Sequence, residues 1–219
     1  MSPAKKKSKK DKHDGLLPPE LAARWKTLGY AAGGVGVAAF IAGFLGDKHR
    51  FGASYLTGFM FATTIAIGAL FFVVIQHLTK AGWSVGPRRI MEWMSQALGA
   101  AVVLFIPLVA MSHDVWHHWM GDHAKHDPIL IGKQAYLNPA FFYIRAVVFL
   151  LSWSLLAHWF YKKSREQDTA KDVAPTSAMQ TASPPAIAVL GITTSFAGFD
   201  WVMSLDPHWY STIFGVYIF

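Results

Sequence analysis

Five apolar runs, each long enough to cross a lipid bilayer, leave this chain little freedom in how it folds. They occupy residues 28–46, 53–78, 96–113, 139–161 and 184–203. About 20 apolar residues wound as a helix span a hydrocarbon core about 30 Å thick. In lipid, each backbone N–H and C=O must find its partner within the segment, so such runs fold as helices. The expected fold is therefore all-α: a polytopic transmembrane helix bundle with five complete spans. A sixth apolar run begins near Trp209 and continues to Phe219, and it reads as the start of a sixth span that the chain enters without completing. Residues 1–24 offer no apolar core followed by a small-residue cleavage site, so the first run reads as a true span rather than a secretory signal.

Charge orients the bundle. Of the twenty Lys and Arg residues, fifteen lie in the N-terminal tail, the 79–95 loop and the 162–183 loop, whereas only Lys48, Arg50, Lys125 and Lys133 lie in the alternate loops. Basic loops stay on the cytoplasmic side, so the N-terminus is expected inside, with the segments 47–52, 114–138 and 204–208 facing out. Trp116, Trp119, Trp201, Trp209 and Tyr210 then fall near the outer interface, and Trp83, Trp93, Trp159 and Tyr161 near the inner one. The net charge of +7 does not point to nucleic acid, because six lysines between Lys5 and Lys12 crowd one polar tail suited to anionic lipid headgroups.

The chain divides into a basic, disordered cytoplasmic tail (1–24), transmembrane helices one to four (25–161), a flexible cytoplasmic linker rich in Ser, Thr, Ala and Gln (162–183), and the fifth helix with the start of the sixth (184–219). Gly29 and Gly33 let the first span approach a neighbouring helix closely. Pro87 suits a first helical turn, and residues 88–94 form an amphipathic lead-in along the inner interface. Pro107 should kink the third span and free a backbone carbonyl, while Asn138-Pro139 reads as a cap and first turn.

Ionisable groups within such a chain are costly to desolvate and face protein, water or a ligand. The segment 199–211 carries Asp200, Asp206 and His208 among four aromatic rings between apolar runs. Arg145 lies about two turns into the fourth span and needs an acidic or carbonyl partner, for which Asp114, Asp200 and Asp206 are at comparable depth. Asp200 reads as the proton-active carboxylate, and Asp206, before Pro207, as partly structural. His113, at the outer end of the kinked span, is suited to bonding a quinone oxygen or passing a proton. The candidate cluster for proton transfer is thus His113, Asp114, Arg145, Asp200, Asp206 and His208.

Metal and haem are weaker readings. His117 and His118 share one-turn spacing with His113 and Asp114, but no Cys or paired Glu completes a zinc set, so no metal site is assigned. His77 and His158 sit near the inner ends of two spans, where a bis-His haem remains open. Without cysteine the chain can hold no disulfide, thiolate-ligated cluster or thioether-attached haem.

The run Phe199-Asp200-Trp201, with Met203-Ser204-Leu205-Asp206-Pro207-His208-Trp209-Tyr210-Ser211-Thr212 and Phe214-Gly215-Val216-Tyr217, resembles the signature of the ActF-type membrane subunit of alternative complex III. His113, Trp116 and Trp119 are similar to the pattern that ends the third span in that family. The resemblance covers residues 28–219. It implies an integral subunit of a bacterial quinol:electron-acceptor oxidoreductase in the inner membrane, related to polysulfide-reductase-type anchors. Implied partners are a homologous quinol-binding membrane subunit, periplasmic iron–sulfur and haem c subunits, small membrane anchors and lipid, but no nucleic acid. The family holds haem and clusters in those partners, so this subunit is expected to bind none, and quinone binding here stays open. Two other classes remain: an assembly scaffold for the same complex, and a solute transporter, which would show helices broken at mid-membrane and an inverted repeat.

Overall fold

The computed structural model describes residues 18–218, apart from the side chain of His123. All its regular elements are helical, and five helical stretches are long and apolar enough to cross a membrane: Pro19–Leu45, Lys48–Leu78, Val85–Ala110, Pro139–Gln167 and Ala174–Leu205. The protein is a multi-pass membrane protein of the all-α class. The tail expected at 1–24 lies outside the described residues as far as residue 17, and from Pro19 onward it is already helical.

The described residues form two compact units, 18–47 and 48–218. Within the first, α1 (Pro19–Leu45) starts on a proline at its first position and has no buried residue. Its 27 residues extend about 40 Å.

In the second unit, α2 (Lys48–Leu78) is followed by α3 (Val85–Ser95), α4 (Ala97–Leu104) and α5 (Ile106–Ala110), which together make the third span. Short helices α6 (Ser112–Val115), α7 (His117–Met120) and α8 (Pro128–Lys133) carry the chain over one end of the bundle. Then come α9 (Pro139–Gln167), α10 (Ala174–Trp201) and α11 (Phe214–Ile218). The long helices close a ring, α2 against α10, α10 against α9, α9 against α4 and α4 against α2. At its centre Trp201 packs on Phe59 of α2, Phe105 between α4 and α5, and Phe149 and Trp153 of α9, with ring centroids 5.0–6.3 Å apart. The outward faces stay apolar, with Val103, Ile106, Ile144, Val148, Leu155 and Ile192 all exposed, as suits helices surrounded by lipid.

Several breaks follow from local chemistry. The third span is interrupted at Phe105, two residues before Pro107, and the Tyr55 hydroxyl donates to the adjacent Leu104 carbonyl at 2.8 Å. The helix breaks where a kink is expected, but the carbonyl that Pro107 deprives of its donor is that of Val103, four residues back, and the Tyr55 bond falls on its neighbour. A turn at Gln96 separates the amphipathic α3 from α4, and the Gln96 side chain donates to Ala157 of α9 at 3.0 Å. Asn138 caps α9 through Phe141 N at 2.9 Å.

The linker expected at 162–183 is not loose. α9 runs on to Gln167 and α10 begins at Ala174, passing through Pro184 and Pro185 rather than starting there. Arg89 pairs with Asp168, and the Gln167 side chain accepts from Thr176 N and Oγ1, so polar bonds hold the connection. Composition alone misjudged it, because buried Met179 and Ser183 give the first turns of α10 a packed face. The start of a sixth span also differs: residues 207–213 are not helical and α11 begins at Phe214. Gly215 and Gly198 permit its docking, since a Cβ on Gly215 would stand 2.9 Å from Phe199. Three of the tryptophans placed at the outer interface, Trp116, Trp119 and Trp201, turn into the bundle, whereas Trp209 and Tyr210 are exposed.

Candidate functional site

At the end of the bundle expected to face outward, α9 and α10 bring Arg145 and Asp200 together. The guanidinium donates from Nε to Asp200 Oδ2 at 2.6 Å and from Nη2 to Oδ1 at 3.0 Å. Its third donor group, Nη1, bonds the Tyr136 carbonyl at 3.0 Å. The rings of Tyr136 and Phe141 lie 3.9 and 4.2 Å from the guanidinium carbon. Both ends of the pair are buried, with Asp200 fully so. This fork geometry matches a carboxylate as lysine cannot. Arg145 does not reach for the headgroups; among the three acidic candidates, Asp200 is its partner.

Tyr136 completes the wall. Its hydroxyl is buried beside the Asp200 carboxylate without closing a hydrogen bond of good geometry. Burial, reinforced by the neighbouring Asp200 charge, pushes the phenol above its ordinary range, which keeps the group a proton donor. Ser204 donates to the Asp200 backbone carbonyl, tying the 3-10 turn Met203–Leu205 to the end of α10.

His208 makes a second pair, with a residue outside the expected cluster. Its Nε2 lies 2.6 Å from Asp127 Oδ2, while Asp127 Oδ1 caps α8 through Ile129 N and Leu130 N at 2.8 and 3.4 Å. The hydrogen bond to His208 holds the Asp127 carboxyl below its usual range, with the two backbone bonds adding to it. Lys133 of α8 donates to the Pro207 carbonyl at 2.5 Å, and Asp206 accepts from His208 N at 3.2 Å, the turn role expected of an Asp-Pro. A groove of about 560 Å³ lies at the same end, walled by Lys133, Tyr136, Phe199, Ser204, Pro207 and Tyr210.

The other candidates stand apart. His113 is exposed on α6, Asp206 is exposed in its turn, and Asp114 is half-buried, offering its backbone carbonyl to His49 Nδ1 at 2.8 Å. The six residues therefore do not form one cluster: lining the end of a bundle scatters side chains over helix faces 100° apart per residue. His117 instead gathers between His49 and His118, with ring centroids 4.9 and 4.0 Å away. Burial and the charges of those two rings lower its affinity for a proton. Among the described residues no group of three His, Asp or Glu side chains is disposed to hold a metal ion.

A haem between His77 and His158 does not fit. His77 is buried against Phe160, 5.9 Å between centroids, whereas His158 is exposed. Positions 158 and 160 point about 200° apart around α9, so the imidazoles cannot face each other across one cofactor.

Sequence reasoning missed Asp127, Lys133, Tyr136 and Phe141. Asp127-Pro128 carried the same Asp-Pro signal as Asp206-Pro207 and was legible as a helix cap. Nothing local marked Tyr136 as the lid over a guanidinium nine residues later. No family model matches the chain, and no curated protein matches it in sequence.

Proposed function

We propose that this chain is an integral membrane subunit of a quinol-oxidising respiratory complex, of the ActF type, in the bacterial inner membrane. The N-terminus lies in the cytoplasm, and the Arg145–Asp200 end contributes a proton-transfer site on the periplasmic side beside the docking face for redox subunits. Quinol oxidation, haem and iron–sulfur clusters belong to the partner subunits. The observation that carries the reading is a bidentate Arg–Asp pair buried in a lipid-facing bundle, within the motif that resembles the family signature. Such groups in membrane spans mark ion or proton paths more often than they serve stability. Asp200 with the Tyr136 hydroxyl beside it supplies a buried acidic group, and the His208–Asp127 pair adds an imidazole–carboxylate contact at the same end of the bundle.

The scaffold reading has its own support: every donor group of Arg145 is engaged, as in a structural clamp. Replacing both charges together separates the readings. In the assembled complex, Arg145→Met/Asp200→Leu keeps the bundle packed without a titratable carboxyl. If coupled proton release is lost while the complex still assembles, the pair transfers protons; unchanged release refutes the proposal and leaves a scaffold.

A further inference from the structure

The opposite end of the bundle holds a second buried ionisable group, Glu92 of α3. The chain has three glutamates; Glu20 is exposed, Glu166 pairs with Lys163 at 2.6 Å, and Glu92 alone is buried, at 1% exposure. Its Oε1 stands 3.5 Å from Arg88 Nε, and its Oε2 stands 3.6 Å from Arg89 Nη1. Those separations give charge contact without hydrogen bonds. Neither oxygen closes a hydrogen bond of good geometry among the described residues, although an ionised carboxylate offers about four acceptor positions. The hydroxyl of Ser164 of α9, itself buried, is the one neutral side-chain donor close to the carboxylate, which leaves most of those positions open.

Other buried polar atoms at the same end are also unpaired: Gln76 Oε1 and His77 Nε2 of α2, and Arg89 Nη1. With the two Glu92 oxygens they make five of the nine such atoms among the described residues. Orphaned polar atoms are rare in folded proteins, and several together mark a place for ordered water. The groups facing Glu92 are Arg88 and Arg89 from its own helix, with Ser164 and Asp168 from the end of α9; His77 on the adjoining α2 feels the Arg88 charge. Arg89 is held by Asp168 on its far side, so it stays anchored whatever charge Glu92 carries.

We propose that Glu92 is a hydrated proton-exchange site at the inner end of the bundle. Water enters between the carboxylate and the two guanidiniums. Hydronium gives its proton to the carboxylate, forming the carboxylic acid and water. The purpose of this site rests on the proton-transfer reading above; its chemistry does not.

Infrared difference spectroscopy on the full chain in lipid nanodiscs tests this directly. Near neutral pH, where exposed carboxyls are ionised, acidification should raise a carboxylic-acid C=O band. The band should move with ¹³C-glutamate, shift promptly in D₂O, and vanish in Glu92→Gln. Absence of a glutamate-dependent band, or a band closed to D₂O, overturns the proposal. If Glu92→Gln fails to fold, the isotope shift in the wild-type chain decides alone, because the other two glutamates are open to solvent or ion-paired. Asp200→Asn should leave the band in place, so failure here is distinguishable from failure of the outer-site reading.

Discussion

Breaking the Arg145–Asp200 pair from one side should destabilise the bundle far more than removing it whole. Truncating one partner of a buried ion pair strands the other charge, at about 3–5 kcal/mol. The surroundings place Asp200→Asn near the lower bound, at about 3 kcal/mol. Arg145 would lose the two charge-assisted bonds at 2.6 and 3.0 Å but keep the Tyr136 carbonyl and the two flanking rings. Cation–π contacts of this kind are worth about 0.5–2 kcal/mol and partly shelter the stranded charge. In Arg145→Met/Asp200→Leu neither charge remains, and a well-packed apolar pair in the same space should stay within about 1 kcal/mol of the wild type. Unfolding in bicelles by graded denaturing detergent, followed by circular dichroism, measures both variants. Because the pair is buried, the loss should persist at high salt. A cost below about 0.5 kcal/mol for Asp200→Asn, or a double variant as weak as the sum of its single changes, would refute the argument.

Three further outcomes follow from local geometry. Lys80 has φ 52° at the end of α2, where Lys80 N bonds His77 O and Ala81 N bonds Gln76 O in the pattern that favours glycine, so Lys80→Gly should stabilise by about 0.5–1 kcal/mol in the same unfolding assay. A Cβ on Gly52 would lie 2.7 Å from Val115 Cγ2, so Gly52→Ala should cost about 1–3 kcal/mol and Val115→Ala should recover part of it. Since Asp127 titrates below its ordinary value, the His208 clasp and the α8 cap contribute fully above the usual carboxylate range and weaken as pH falls through the depressed value. Hydrogen exchange at Ile129 and Leu130 amides should quicken over that acid window, and His208→Ala should move its onset to higher pH.

How far the site could be read depended on the range of the interactions that make it. Arg145 and Asp200 were each recognisable as groups too costly to leave in lipid, whatever the neighbouring helix carried. The choice of Asp200 over Asp114 and Asp206 was not, because residues 55 positions apart meet only through the crossing of α9 and α10. Glu92 looked like one charge in an amphipathic lead-in; only the packing of α3 against α2 and α9 buries it.

Composition and charge by themselves determined five helices, their approximate extents, the kink at Pro107 and the cap at Asn138, because bilayer thickness and backbone hydrogen bonding act on each segment alone. The tertiary structure decided which side chains meet. It joined Arg145 to Asp200 and His208 to Asp127, left His113 and Asp206 in the open, turned Trp116, Trp119 and Trp201 inward, and extended α9 and α10 across the expected linker. These outcomes depend on the rotation and depth of one helix against another, which a linear pattern does not contain.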